Sequence, residues 1–308
     1  MAKEISSISI DIREDYLLKK DSLLDILLQD KTTGNTILWA TDSYEQKGKK
    51  FASFAPITSD LVTGKNGKLI QPRSVKSKEE QLLRTRDKAE VFTPLSIVKQ
   101  MNDACDTKRI TKNNWQEYVA LLKLEITCGE APFIVSRYDP VSDKQELLPL
   151  AERVGFLDKK LTVVSKYCTT QDEWLKWAKI AFQSSYGYEW QGDSLLIARE
   201  NLLYTFIDYY QDKIKETPST ELQKEIAEII AWNIFQMDGL KYVIPMSCKT
   251  EKVTIKGAET LFGKEEDQVV EKPCAGCENK TAKNHNGTYV RIMNWKEHKI
   301  IRFVDIIN

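Results

Sequence analysis

The sequence predicts an α/β fold built on a doubly wound, largely parallel sheet. From about residue 88, apolar stretches of strand length alternate with longer stretches of helical periodicity. Three strand-length stretches, residues 121–126, 185–190 and 232–237, come with helices between them, as a parallel sheet with helices on both faces requires. Each ends at or beside an acid: Glu125, Glu189 and Asp238. Residues 1–87 read as an N-terminal α+β extension, 88–247 as the main domain, and 248–308 as a loop-rich C-terminal segment.

Each element has its own signal. Residues 5–12 alternate apolar and polar, the period of a short strand. Residues 16–28 place Leu17, Leu18, Leu23, Leu24, Ile26 and Leu27 on a helical face. Lys31-Thr32-Thr33-Gly34-Asn35 is turn chemistry, and residues 36–40 form a short strand. Residues 62–68 read as an exposed loop and 77–87 as a charged helix. Thr93-Pro94 opens a helix over 95–105, because proline is tolerated where no amide partner is needed. A helix over 114–122 leads to the first strand, and Phe133 opens the next helix. Residues 139–169 give few signals and read as an insertion. Thr170-x-x-Glu173 is a capping box for a helix to about 182, with Trp174, Trp177, Ala178 and Ala181 facing the core. Helices over 194–214 and 222–231 follow, the latter after Thr220-x-x-Gln223.

Composition narrows the function. Lys+Arg and Asp+Glu both total 45, so the net charge is zero, whereas a chain gripping duplex DNA alone usually carries a basic surplus. This leaves two readings: a protein that never meets DNA, or a subunit whose partner supplies most phosphate contacts. No apolar run reaches the ~20 residues of a membrane span. The first residues are charged and alternating, unlike a secretory leader, and six cysteines without such a leader suit a reducing cytoplasm. Cys105 and Cys168 read as buried small hydrophobes, Trp232 as core, and residues 264–272 and 47–50 as solvated stretches.

The three strand ends suit a nucleotide-containing ligand at the carboxyl rim of the sheet. Gly129 permits a turn after the first strand, and a following helix N-terminus would attract a carboxylate. Glu189 is placed to bond ribose hydroxyls, Trp190 to pack on an adenine face, and Asp238 to accept from the adenine amine beside Phe235 or Leu240.

Lys88-Ala89-Glu90-Val91-Phe92-Thr93-Pro94 resembles the G-E-V-F-T-P segment of the amino-group DNA methyltransferases of restriction–modification systems. Leu124-Glu125-Ile126-Thr127-Cys128-Gly129-Glu130-Ala131-Pro132-Phe133 is similar to their E-P-A-C-G-x-G-x-F. The stretches over 186–199 and 233–240 resemble their ribose-acid segment and N-I-x-x-x-D-x-L. The likeness covers roughly residues 84–245. It implies a Rossmann-like methyltransferase sheet, an S-adenosylmethionine cofactor, and donor contacts at Thr93, Pro94, Glu125, Cys128, Gly129, Glu189, Trp190 and Asp238.

The departures from the family pattern carry as much information. The family's glycines are Ala89 and Ala131 here. Its catalytic (D/N)-P-P-(Y/F) is missing: no Pro-Pro occurs anywhere, and the expected fourth strand reads Val243-Ile244-Pro245-Met246-Ser247-Cys248. No catalytic residue is therefore assigned to this chain. Two explanations remain: a degenerate methyltransferase acting as a donor sensor or scaffold, or a split enzyme whose second subunit brings the motif and completes the sheet. The split reading, the favoured one, implies double-stranded DNA bound through the complex, with adenine flipped into the subunit junction and the apolar residues 299–307 free to join the partner's sheet.

A last cluster stands apart. Cys274-x-x-Cys277, with Cys248 upstream and His285 downstream, has the donor set of a Cys3His zinc site, although not the spacing of a standard finger. The alternative is a reduced, exposed cysteine pair beside a surface histidine.

Overall fold

The computed structural model describes Glu14, Leu17 and residues 22–88, 93–106, 110–142, 145–255, 259–260, 263–264 and 268–307. The expected strand over 5–12 lies outside these residues, as do Ala89, Glu90, Val91 and Phe92 of the family-like segment.

Among the described residues of the N-terminal region, α1 (Leu23–Leu28) is followed by α2 (Ser59–Val62) and α3 (Lys78–Lys88). The expected strand over 36–40 is instead two isolated bridges, Gln29↔Thr36 and Leu38↔Pro56. Then come α4 (Leu95–Cys105), α5 (Trp115–Ala120), β1 (Lys123–Glu125), α6 (Phe156–Tyr167), α7 (Gln171–Gln183), β2 (Ser185–Glu189), α8 (Gly192–Ile214), α9 (Thr220–Asn233) and β3 (Ile234–Gln236). Two expectations fail here. No helix opens at Phe133, which lies in a turn; the helix comes at Phe156, inside the supposed insertion. Trp232 lies in α9, which runs to Asn233 and shortens the strand.

β1, β2 and β3 form one parallel sheet in that order, in register Glu125↔Gly187 and Glu189↔Gln236. The protein is thus mixed α/β with a small parallel sheet. On one face, Ile134, Ile234 and Cys128 join the main apolar core, with Trp174 of α7, Phe206 of α8 and Ile230 of α9. The α-helices α7, α8 and α9 pack on this face. The other face carries Tyr188 and Phe235, which pack against Ile244, Ile292 and Phe303. The same main core takes in Leu23, Leu27, Ile57 and Val62 of the N-terminal region.

Arg199, fully buried in α8, ties these parts together. Its guanidinium donates to the carbonyls of Leu27, Gln29, Ala231 and Ile234. Each guanidinium nitrogen thereby finds an acceptor, which offsets the cost of burying the charge. Lys160 of α6 does the same beneath the sheet, donating to Leu121 O, Ser184 O and Ser184 Oγ.

After β3 the chain turns back at Asp238 and does not extend the sheet. Val243 makes only an antiparallel bridge to Tyr289. β4 (Glu251–Ile255) pairs antiparallel with β7 (Gln268–Lys272), and the short β5 (Glu259–Thr260) with β6 (Gly263–Lys264). Residues 268–272 are therefore strand, not the expected solvated loop. A short α10 (Ala275–Glu278) precedes the hairpin of β8 (Arg291–Asn294) and β9 (Lys299–Arg302). β9 pairs within its own chain, and Phe303 and Val304 beyond it are buried, so this segment is not free to join a partner's sheet as a whole. Cys105 is exposed and Trp232 only half-buried, against expectation; Cys168 is buried as expected.

Candidate functional site

The three acids reach one rim of the sheet, and each is held by backbone amides. Glu125, at the end of β1, accepts from Ile134 N at 3.0 Å and Phe133 N at 3.3 Å. Its carboxylate thus closes the turn in which a helix was expected. Burial pushes its carboxyl well up, against the pull of those two amides. Glu189, at the end of β2, accepts from Gly129 N at 2.8 Å through Oε2, and from Trp190 N at 2.8 Å and Gln191 N at 3.1 Å through Oε1. It therefore clamps the β1 turn to the β2 turn, and burial raises its carboxyl too. A carboxylate offers about four acceptor positions. Three are filled, so one is left where a pair of ribose hydroxyls was expected. Asp238 accepts from Leu240 N at 3.0 Å and Lys241 N at 3.2 Å through Oδ1, while Oδ2 lies 3.6 Å from Lys241 Nζ.

The turn after β1 is strained. Thr127, Gly129 and Ala131 have φ of 46°, 54° and 63°. Gly129 meets the requirement its residue type predicted. Ala131 has no such freedom, and its positive φ is one that glycine would adopt without strain. Cys128 is buried: its N–H donates to Tyr188 O at 2.8 Å, and burial, with Glu125 and Glu189 nearby, pushes its thiol well up. A Cβ on Gly187 would stand 3.3 Å from its sulfur.

The remaining expected donor contacts are placed less tightly. Trp190 is half-buried and donates from Nε1 to Ala40 O at 2.9 Å, in the N-terminal region. Thr93 is half-buried and Pro94 exposed at the start of α4. Asn102 of that helix donates to Phe133 O and Val154 O, both at 3.0 Å, which brings α4 beside the β1 turn. Phe235 is sunk in the second core and unavailable to a ligand, whereas Leu240 is 85% exposed beside Asp238.

The sequence reading missed several polar groups that shape this rim. Glu130 is buried and accepts from Arg73 N and Tyr138 Oη, both at 2.7 Å. Asp193 is buried with Arg84 of the charged helix at 2.7 Å and Tyr44 Oη at 2.8 Å, and burial opposes its charge while Arg84 holds its carboxyl below the usual range. The spacing Glu189-x-x-x-Asp193 was a signal for it. Arg84 carried none, since a charged helix reads as solvated throughout. Two larger hollows lie elsewhere. One, of 650 Å³, is lined by Asp30, Thr33, Leu38, Gln236 and Ser247 among others; the other, of 920 Å³, lies along β1 and β8. None of the eight expected donor contacts lines either.

The cysteine cluster assembles as its donor set predicted. Cys248, Cys274, Cys277 and His285 bring their ligand atoms within 4.8 Å of one another. The three sulfurs lie 3.6, 3.5 and 3.7 Å from His285 Nδ1. Tetrahedral zinc with its usual bond lengths requires a sulfur–nitrogen separation of about 3.6 Å. His285 Nε2 is held by Thr281 O at 2.7 Å, which aims Nδ1 inward. Burial works against a Cys274 thiolate, but the N–H groups of Asn286 and Cys277 and the His285 ring outweigh it and hold the thiol down to about 6. Burial and the neighbouring Cys277 and Cys274 push Cys248 up to about 12. The cluster is thus a site that can hold a metal ion.

No family model matches this chain, and no curated protein or solved structure matches it. Among the described residues, no helix is long and apolar enough to cross a membrane.

Proposed function

We propose that this chain is the S-adenosylmethionine-binding subunit of a two-chain DNA N6-adenine methyltransferase of the restriction–modification type, with the (D/N)-P-P-(Y/F) motif on the second chain. The observation that carries the reading is the strand order. β3-β2-β1, parallel and with a buried carboxylate at or just beyond each strand end, is the order of one half of a doubly wound sheet. Both crossovers run the same way, so the reversal of winding, where ligands bind in such sheets, falls at the outer edge of β1.

In this reading the acids hold the donor's nucleoside and the strained turn holds its amino-acid end. Glu189 offers its remaining acceptor position to one ribose hydroxyl, and a second hydroxyl requires Gly129 N–H to turn away. Asp238 accepts from the adenine amine through Oδ2, with Leu240 against the ring. Glu125 shapes the turn through one bond to each oxygen and keeps two acceptor positions for the donor's amino-acid end. S-adenosylmethionine, when bound, supplies a methyl group already activated as a sulfonium, so no covalent enzyme intermediate is needed. What remains is alignment with a flipped base. Double-stranded DNA is reached through the complex, which accords with the zero net charge. Zinc is the ion assigned to the Cys3His cluster, ordering a segment with little core of its own.

Calorimetry with S-adenosylmethionine tests the reading, on the chain alone and on its complex with the product of the adjacent reading frame. Heat is expected, lost in Glu189→Ala, together with transfer of labelled methyl to adenine by the complex only. No heat from either preparation overturns it. One observation favours a second reading, a catalytically silent donor sensor or scaffold: Glu189 is largely saturated by backbone amides. Full biological activity of the lone chain, with donor bound and no methylation, would select it.

A further inference from the structure

The zero net charge of the whole chain hides an uneven distribution. Residues 46–78 hold eight basic side chains against a single acid, Asp60, so the rest of the chain is net acidic. Lys47, Lys49, Lys50, Lys65 and Lys68 are exposed, and no acid among the described residues pairs with any of them. Glu45, beside the first three in sequence, turns its Oε1 to Ser53 N at 3.1 Å.

These lysines stand on fixed backbone. Two 3-10 turns, Glu45–Lys47 and Lys49–Phe51, meet at Gly48, whose φ of 119° a side chain would resist. Trp39 lies against Tyr44 and Phe51, with ring centroids 4.7 and 5.6 Å apart, and its Nε1 donates to Lys50 O at 3.2 Å. The next turn is closed by Ala55 N on Ala52 O at 2.8 Å and held by Ala40 N on Ser53 O at 2.8 Å. At its tip Phe54 is 71% exposed. A single exposed apolar side chain is ordinary. One held outward by a fixed turn, beside three unpaired lysines, joins cations for phosphates to a flat face for a base.

The same segment is anchored at the carboxyl rim. Trp190 Nε1 donates to Ala40 O and Gly192 N to Trp39 O, both at 2.9 Å, and Tyr44 Oη donates to Asp193 at 2.8 Å. Other occupants answer the charge poorly. Residues 1–13 hold Lys3 and Arg13 against Glu4 and Asp11, a net of zero. A second copy related by a two-fold axis sets lysines against lysines. One phenyl ring gives an anionic bilayer little apolar area to bury.

We infer that the turns over 45–54 are a nucleic-acid contact of this chain's own, with Lys47, Lys49 and Lys50 on the phosphates of duplex DNA and Phe54 wedged against a base. Lys65 and Lys68, on the 3-10 turn at Gly64–Asn66 and just past it, add to the same positive field. The choice of duplex DNA over other nucleic acids rests on the methyltransferase reading; the pairing of phosphate and base chemistry does not. The partner subunit then supplies the remaining contacts and not all of them.

The test is fluorescence anisotropy of a short labelled duplex with the full chain, at rising salt. Binding is expected, with the logarithm of affinity falling linearly with that of salt. Lys47→Ala/Lys49→Ala/Lys50→Ala should make that slope shallower by about 3 and weaken binding at least about tenfold. Phe54→Ala should keep the slope and weaken binding roughly 5- to 100-fold. All four side chains face solvent, so the fold does not depend on them. Removing three exposed lysines elsewhere, Lys112→Ala/Lys176→Ala/Lys296→Ala, should leave affinity within about twofold. Four results overturn the inference: no binding; a slope unchanged in the 47/49/50 variant; equal losses in the two triple variants; or tighter binding to phosphatidylserine vesicles than to DNA. Tighter binding to RNA of the same sequence rejects the duplex. The assay contains no S-adenosylmethionine, so DNA binding without calorimetric heat retains this face and rejects the donor, and heat without DNA binding does the reverse.

Discussion

Gly276→Ala is the sharpest probe of the metal cluster, because it keeps all four ligands. A Cβ at this position would lie 2.6 Å from His285 Nδ1, 2.7 Å from Cγ and 2.8 Å from Cε1. Ordinary van der Waals contact begins at 3.4 Å, so the ring must retreat by 3.4 − 2.6 = 0.8 Å. Ligand distances tolerate only about 0.2 Å. The ring cannot swing away freely: Nε2 is bonded to Thr281 O at 2.7 Å, and the His285 amide to Tyr289 Oη at 2.9 Å. Zinc affinity should fall by roughly 10–100-fold, or about 1.4–2.7 kcal/mol, the usual loss when a ligand is misaimed rather than removed. Titration of the purified protein with a chromophoric chelator of known zinc affinity measures this, with metal content by atomic emission as a check. Cys248→Ser sets the scale for a missing ligand. If Gly276→Ala holds zinc as tightly as the unaltered protein, His285 is not a ligand and the geometric argument fails. If neither protein binds zinc, the assignment itself fails.

Three further outcomes are expected. Thr127→Gly, at an exposed residue with φ of 46°, should stabilise the fold by about 0.5–1 kcal/mol in urea melts, and a loss of stability would show that the turn is not held in this conformation. Burial raises the Asp158 carboxyl to about 6, against an unfolded value near 3.9. The folded state then holds the proton more tightly, so stability is fullest below about pH 4 and falls by about 3 kcal/mol as pH rises through about 6; Asp158→Asn should remove that part of the slope, and identical slopes in the two proteins would refute it. Gly192→Ala places a Cβ 2.0 Å from Leu38 O, at the contact between α8 and the N-terminal region, and should cost about 3 kcal/mol; unchanged urea midpoints would mean that this contact is not made.

The sequence carried the local signals well and the long-range ones poorly. Thr170-x-x-Glu173 marks a real cap, with Glu173 N donating to Thr170 Oγ1. Beside Thr220-x-x-Gln223, however, the cap is Ser219, one residue earlier, which accepts from Leu222 N. Helix α6 was hidden because Lys160 sits in its apolar stripe and Thr162-Val163-Val164 read as β-branched; tertiary burial overrides both. The three acids were visible as strand ends, but their backbone partners were not, since Gly129 lies sixty residues from Glu189 in sequence. The cysteine cluster was legible because its ligand types are rare, even though β4 to β7 separate Cys248 from Cys274. The exposure of Leu122, Leu124 and Ile126 around β1 was not legible, because all three look like core residues in any one-dimensional reading.

Arg199 sets a limit on how this molecule can be divided. Two of its four acceptors, Leu27 and Gln29, belong to the first thirty residues, and the other two to α9 and β3. Trimming the front of the chain would take two carbonyl acceptors from a guanidinium that is fully buried in the intact fold. The leading segment is thus a keystone rather than an attachment, and a shortened version that begins at the family-like region has no reason to fold.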